Sequence, residues 1–480
     1  LDGGPGFPLD DAWIHQTYAR NLGEKGRWEY VPGAISAGST APLWTLVLAG
    51  GYLVRVPYLW WAYAWGALSL GLLAWAAMRL WAQLWPARAH QAWQAGALVV
   101  LSWPLVWAAA SGMETRFFAA LGLLLAGEYV AAVRETVVSQ KQALRLGLLA
   151  GLLILTRPDG LVLLVLVAGG LMLARQLRAL LVLGATAVVL LLPYFALNYL
   201  SSGTLWPNTL YAKQTEYAVL LAQPLIERVA QLAFFSLGGP PQGWQGSSGA
   251  HLLLLPGLLV AGWQALRRDW AQKRLWATLP LLWAGGHVFL YAWRLPVTYQ
   301  HGRYLLAALP LWLIYGLAGW HWLLQKRSAW ERWLRPLRRA AVISFALLLC
   351  IYLGLGGQAY TRDVAFINGE MVTVAHWLAE NTPPEALIAA HDIGAIGYFG
   401  QRPLLDLAGL ISPEVIPLLA DEAALADYLL QSEADFLVTA PGWEYTAVVA
   451  HPDVAQLYST NFAWTQEQGL NNMMVYSLPK

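Results

Sequence analysis

The chain is short of charge and almost without cysteine. Only 12% of its 480 residues are Asp, Glu, Lys or Arg, against about 25% in soluble globular domains, which excludes a purely cytosolic enzyme. The single cysteine, Cys350, allows no intrachain disulfide and no zinc site built on cysteines. No internal repeat is evident, and no run suggests extended disorder. What is abundant is apolar: 58% of residues are hydrophobic, in runs of roughly 17 to 25 residues, the length that crosses a bilayer. The sequence therefore reads as a polytopic α-helical membrane protein.

Spans are expected near 58–78, 92–110, 115–133, 143–156, 160–174, 179–200, 251–266, 275–293, 304–324 and 340–357, giving a transmembrane domain of about ten helices over 58–357. The connections 79–91, 134–145, 175–178, 267–274 and 325–339 carry 2, 3, 2, 4 and 6 Lys or Arg, and the positive-inside rule makes these five cytoplasmic. Residues 1–57, 111–114, 157–159, 201–250, 294–303 and everything from 358 onward then lie outside. The apolar run 41–56 is too short to cross and reads as an interfacial or re-entrant helix within a first extracytoplasmic loop, 1–57. Because the chain opens in a loop, Leu1-Asp2-Gly3-Gly4-Pro5-Gly6, without initiator Met or signal segment, an upstream span is expected.

The net charge of +2 conceals two regions. Residues 358–480 hold 15 acids and 3 Lys or Arg, a net of −12, which leaves +14 for the rest. In this tail 364–380 and 414–431 look helical, and 386–390 and 435–439 look like short buried strands, so a small extracytoplasmic α/β cap domain is expected. The long outer loop 201–250 contains a Gly- and Pro-rich stretch, 238–249, that is a candidate lid.

With sidedness assigned, the unusual polar residues fall at one depth, and ionisable groups near a bilayer are costly unless they pair or work. Asp10 and Asp11 open the amphipathic segment 9–22, with His15 one turn beyond Asp11. Two readings of the pair stand: an N-cap plus a dipole-favoured acid, or a general base beside a group that binds sugar hydroxyls or a metal. Glu114 with Arg116, and Arg157 with Asp159, mark outer span ends, where they either pair structurally or contact substrate. Arg20, Lys213 and Arg303 are cations on a face where an anionic headgroup would arrive. His301, His391 and Asp392 are further polar candidates, and Trp28 and Trp44 are placed to stack on a sugar ring. No spacing dictates a metal site; a divalent cation is left open.

Several of these residues sit in stretches that resemble a known family. Pro8-Leu9-Asp10-Asp11-Ala12-Trp13-Ile14-His15, Tyr18-Ala19-Arg20-Asn21-Leu22 and Ala41-Pro42-Leu43-Trp44-Thr45 look like the first outer loop of GT-C fold glycosyltransferases. Ser111-Gly112-Met113-Glu114-Thr115, Thr156-Arg157-Pro158-Asp159-Gly160, Trp206-Pro207-Asn208-Thr209-Leu210-Tyr211-Ala212-Lys213, Gly302-Arg303-Tyr304-Leu305 and the stretch His391 to Gly400 continue the match in order. The branch most resembled contains the mycobacterial terminal arabinofuranosyltransferase. One stretch departs: before Pro-Leu-Trp the family has a Glu-Gly-Tyr-Thr-like sequence, where this chain reads Ala37-Gly38-Ser39-Thr40.

The resemblance implies a membrane transferase, metal-independent or metal-assisted and usually inverting. It would move a sugar, arabinofuranose or a hexose, from a polyprenyl-phosphate carrier to a glycan, lipid or protein acceptor outside the cytoplasmic membrane. It assigns the base to Asp10 and makes Asp11 its partner. Arg20, Lys213 and Arg303 would hold the donor phosphate. His15, Trp44, Glu114, Arg157, Asp159, Asn208, His301, His391 and Asp392 would contact substrate. A lipid-linked sugar flippase and a non-catalytic glycolipid-binding assembly protein are the alternatives. The one-sided clustering of charge and the missing repeat weigh against the flippase.

Overall fold

The computed structural model describes residues 4–33, 35–135, 137–239, 249–324 and 331–480. The core of the candidate lid, 240–248, and part of the basic connection 325–339 lie outside the described residues. Helix α1 (Asp11–Lys25) and the short apolar α2 (Pro42–Leu53) precede α3 (Tyr58–Leu84). The next span is broken into α4 (Ala92–Leu101) and α5 (Trp103–Ala110), bent by 58°. Ser102 is extended there and Pro104 starts the new helix, since proline cannot continue a preceding helical ladder. Then follow α6 (Thr115–Arg134), α7 (Gln140–Thr156), α8 (Leu161–Leu173), α9 (Leu177–Ser202), α10 (Asn208–Glu216), α11 (Leu225–Ser236), α12 (Leu255–Gln272), α13 (Leu279–Arg294), a turn-like α14 (Tyr299–Gly302), α15 (Leu309–Leu323) and the long α16 (Glu331–Ile367).

A helix thus occupies every segment expected to span. Five are long and apolar enough to cross by themselves, and the bent α4–α5 pair makes a sixth. The remaining four, α7, α8, α13 and α15, run for 17, 13, 16 and 15 residues. At 1.5 Å per residue these fall short of about 30 Å of hydrocarbon. At one end of the bundle Glu128 of α6, nine-tenths buried, bonds Arg79 and Arg145 at 3.3 Å each. Those arginines come from the connections read as basic. At the other end lie the starts of α6 and α8 and the ends of α7 and α13.

After α16, α17 (Thr373–Asn381) leads into a five-stranded sheet of order β2-β1-β3-β5-β4. Its strands are β1 (Ile388–Ala390), β2 (Leu404–Asp406), β3 (Phe436–Thr439), β4 (Ala455–Ser459) and β5 (Met474–Ser477), and α18 (Glu422–Gln431) lies between β2 and β3 in the chain. β1 is parallel to both β2 and β3, whereas β5 runs antiparallel to β3 and β4. The expected strands 386–390 and 435–439 are β1 and β3. The exposed edge strand β4, which buries no face, and the short β2 carry too little hydrophobic pattern to read from sequence. The stretch 414–431 divides into a 3-10 turn and α18 because Pro417 interrupts it.

The cap domain is docked on α1. Asp10 accepts the backbone N–H groups of Gly394 (2.7 Å) and Ala395 (2.8 Å). Tyr30 donates to the Ile393 carbonyl at 2.6 Å, and Trp13 packs on Tyr398 and Phe399. A Cβ at position 394 would lie 2.0 Å from the Asp10 carbonyl oxygen, so this approach needs glycine.

Helices α12 and α15 approach closely over small residues: a Cβ at Gly319 would stand 1.7 Å from the Gly257 carbonyl oxygen. Gly319→Leu should therefore cost more than about 3 kcal/mol and prevent a stable detergent-solubilised fold. Leu259→Ala, at a two-thirds exposed position, should leave the melting profile unchanged. Thermal unfolding of the two variants checks this.

Candidate active site

A cavity of about 640 Å³ opens at the end of the bundle covered by the cap domain. Its lining comes from residues far apart in sequence: Asp11 and His15 of α1, the 38–40 segment, Glu114, Arg157, Asp159, Lys213 of α10, Arg303, and Leu410 from the cap. Leu410 is placed by Asp406 of β2, whose carboxylate accepts the N–H groups of Ala408 (2.9 Å) and Ile411 (2.7 Å). One flank is largely apolar, formed by Leu161, Val162 and Val165 of α8 and Phe289, Leu290 and Trp293 of α13, with Arg294 at the end of α13 also in the lining. Val165 and Trp293 are 60% and 50% exposed, so this flank opens toward the surface that faces lipid. The cavity is polar at its head and apolar along its side.

At the head, Asp11 accepts a hydrogen bond from Arg303 Nη2 and lies 3.8 Å from Lys213 Nζ. Tyr304 Oη accepts from both Lys213 and Arg303 at 2.9 Å. Burial alone would raise the Asp11 carboxyl, but the two cations outweigh it and hold the acid well below its usual range. Burial would likewise lower Lys213, and Asp11 reverses this, so the ammonium stays charged. Arg303 is only 4% exposed, and its Nε and Nη1 have no hydrogen-bond partner among the described residues. Buried donors are nearly always satisfied, so these two guanidinium N–H groups beside the cavity are open to an acceptor.

Arg303 leaves a turn that is left-handed at Gln300, His301 and Gly302, with φ of 54°, 57° and 66°. Each non-glycine residue there costs about 1–3 kcal/mol. Gly302 cannot be replaced without strain, because an added Cβ would also meet the Phe235 ring at 2.2 Å.

The floor of the cavity is a second network. Arg157 donates to Glu114 (2.7 Å), to Asp159 (3.1 Å) and to Tyr291 Oη (2.6 Å), and Tyr291 in turn donates to Asp159 at 2.9 Å. His15 Nε2 stands 3.5 Å from Glu114. Burial outweighs the nearby carboxylates and lowers the His15 pKa, so its ring is neutral. Tyr291, Tyr304 and His287, which is 3.8 Å from Asp159, were missed as site residues. His287 was findable, since an ionisable side chain inside an apolar span signals function or pairing.

Asp10 faces away from this lining. Both its oxygens are taken by the Gly394 and Ala395 amides. Burial, then repulsion from Asp392, push its carboxyl up to about 8 despite those two donors. Asp392 is raised as well, first by burial. His391 lies beside them, with Nδ1 3.1 Å from Tyr445 Oη and Nε2 3.8 Å from Glu216. Burial lowers its pKa, but Glu216 and Asp392 outweigh that and raise it to about 9.

Like Asp10, the expected site residues His391 and Asp392 do not line the cavity, and four more are placed elsewhere. Arg20 donates to the Tyr398 carbonyl at 2.7 Å and stacks on that ring, bracing α1 against the cap. Trp44 is 1% exposed and donates to the Gly112 carbonyl at 2.8 Å, a packing role. Asn208 starts α10, its N–H bonded to the Ala37 carbonyl at 3.0 Å. His301 bonds Asp363 at 2.8 Å on the far side of the turn that carries Arg303. A divalent cation does not fit the acid pair, since Asp10 is filled by amides and Asp11 by cations. Among the described residues no three His, Cys, Asp or Glu gather as a metal site.

Residues 359–476 match the model of a domain of unknown function, DUF8728. No curated protein sequence matches the chain. Solved structures do. ArnT from Cupriavidus metallidurans bound to undecaprenyl phosphate is similar at a TM-score of 0.61 and 15% identity, over 97% of this chain and 93% of that one. Archaeal oligosaccharyltransferase AglB from Archaeoglobus fulgidus, in complex with an inhibitory peptide and a dolichol-phosphate, is similar at 0.55 and 13%, over 90% of this chain and 65% of that one. The mycobacterial arabinofuranosyltransferase AftD, at 0.47 and 15% identity over 99% of this chain and 38% of that one, is too loosely alike to bear on the sugar. The fold is the GT-C fold, that of a polytopic membrane protein with a small sheet domain at its C-terminus.

The raised carboxyls of Asp10 and Asp392 make the stability of the docked cap pH-dependent. A carboxyl raised in the folded state contributes stability that is complete below its unfolded pKa of 3.8 and is lost as pH rises through about 8. Thermal unfolding should thus show the protein weakening between pH 5 and pH 9, and Asp392→Asn should flatten that decline.

Proposed function

We propose that the protein is a membrane glycosyltransferase that takes a sugar from a polyprenyl-phosphate carrier and passes it to a glycan, lipid or protein acceptor. The observation that carries this reading is the pair of orphaned Arg303 donors beside Lys213 at the head of a cavity whose flank is apolar and laterally open. That arrangement suits a phosphate at headgroup depth with its hydrocarbon tail lying between α8 and α13. The shared fold with ArnT, whose structure holds undecaprenyl phosphate, supports the same ligand class. The basic connections at the opposite end support a cytoplasmic membrane with the cavity and cap on the non-cytoplasmic side. Arabinofuranose or a hexose is the sugar.

In the proposed reaction Asp11 is the base. Without substrate it occupies the anion position between Arg303 and Lys213; an arriving phosphate competes for both cations and frees the carboxylate, whose proton affinity then rises. The acceptor hydroxyl gives its proton to Asp11 while its oxygen bonds the anomeric carbon. The bond from that carbon to the phosphate oxygen breaks, and its electron pair leaves with the polyprenyl phosphate. Arg303 and Lys213 stabilise the charge that develops there. One base and no covalent intermediate give inversion. Asp10, held by the Gly394 and Ala395 amides, anchors the cap to α1, so the two carboxylates exchange the roles that the resemblance assigns them. Glu114, Arg157 and Asp159 form the floor against which the sugar rests.

Asp11→Asn should lower transfer by about 10² to 10⁴-fold while undecaprenyl phosphate still binds. Asp10→Asn should reduce thermal stability more than turnover. Purified protein given polyprenyl-phosphate sugars and oligosaccharide acceptors, with products read by mass spectrometry and anomeric configuration by NMR, tests this. Full transfer by Asp11→Asn, or retained configuration, would overturn the assignment, and movement of lipid without bond cleavage would favour a flippase.

A further inference from the structure

The strained turn 300–302 needs an external hold, because Gln300 and His301 occupy backbone regions that their side chains disfavour. Gly302 N–H closes the turn on the Thr298 carbonyl at 3.1 Å and Phe235 packs against Gly302, while the side-chain hold on α5 and α16 comes from His301. The imidazole stands edge-on between Trp103 and Trp107, with ring centroids 5.1 and 4.8 Å away. Its Nε2 donates to Asp363 Oδ2 at 2.8 Å, and Trp107 Nε1 donates to the same oxygen at 2.8 Å. Asp363 lies near the end of α16, the helix that runs on into the cap domain. Neither His301 nor Asp363 lines the cavity.

We infer that His301 and Asp363 form a latch that positions Arg303: they fix a left-handed turn whose next residue is the guanidinium at the cavity head. With the latch intact, residue 303 leaves the turn in the direction that brings its side chain onto Asp11 and Tyr304. When the latch is lost the turn relaxes toward negative φ, and the guanidinium no longer meets the cavity. The latch also links the phosphate-binding turn to the helix that carries the cap, so cap and headgroup site are braced by one carboxylate. Asp363 is a positioning residue, since it acts only through Arg303. This inference rests on the reading of Arg303 as a phosphate ligand.

The test compares binding of undecaprenyl phosphate to the full chain with Asp363→Asn, Asp363→Glu, Arg303→Ala and the double variant Asp363→Asn with Arg303→Ala, alongside thermal unfolding without lipid. Asp363→Asn should weaken binding roughly tenfold, the size of a lost charge-assisted hydrogen bond, and Asp363→Glu should restore most of it. In the Arg303→Ala background Asp363→Asn should cause no further loss, a result that general destabilisation would not give. His301→Gln, which removes the ring from between the two tryptophans, should reproduce the weakening and serves if Asp363→Asn does not fold. Unchanged binding in Asp363→Asn or His301→Gln, or losses that add in the double variant, would overturn the latch. Absence of binding by the unmodified protein would remove the phosphate reading itself, and the latch with it.

Discussion

Asp11 sits between the buried Arg303 and the partly exposed Lys213, two cations that would otherwise repel each other. At about 4 Å and an effective dielectric near 20, each such pair is worth roughly 4 kcal/mol, and removing one partner of a buried pair costs about 3–5 kcal/mol. The three charges come from α1, from α10 and from the turn before α15. Bringing them together commits the first loop, the 201–250 segment and the late helices to one end of the bundle. The arrangement carries two positive charges against one negative, and two donors of Arg303 stay open. Asp11 offsets part of that surplus.

The surroundings separate polar from apolar work. Arg157 ties Glu114, Asp159 and Tyr291 into one floor, while α8 and α13 present a largely apolar, partly exposed flank. The cap closes the remaining side through Leu410, and its docking runs through the Asp10 carboxylate and the backbone at Gly394 and Ala395. Neighbouring acids in the sequence therefore face opposite ways. Asp10 joins α1 to the cap, and Asp11 joins α1 to the cations.

Much of the architecture is legible because a bilayer leaves few options. Apolar runs become helices, since any other backbone would leave its polar groups unbonded in hydrocarbon. The basic connections separate from the polar constellation for electrostatic reasons. Within the site, Asp11, His15, Glu114, Arg157, Asp159, Lys213 and Arg303 stand out as charges or polar rings outside the apolar runs or at their ends. Tyr291 and Tyr304 do not, because tyrosine is common at membrane boundaries. Arg20, Trp44, Asn208 and His301 resemble site residues by type and place, yet each is used for bracing, packing or backbone geometry.

The sequence by itself determined the fold class, the run of helices, the acidic cap and the depth at which the ionisable residues collect. These follow from local composition, which hydrophobic burial and charge hydration read directly. Only the tertiary structure decided which carboxylate of the adjacent pair meets the cations and which of three candidate arginines and lysines stay together. It also decided that the turn before Arg303 is left-handed. Those outcomes depend on side-chain direction and on contacts between segments hundreds of residues apart, and neither is encoded in the spacing of neighbours along the chain.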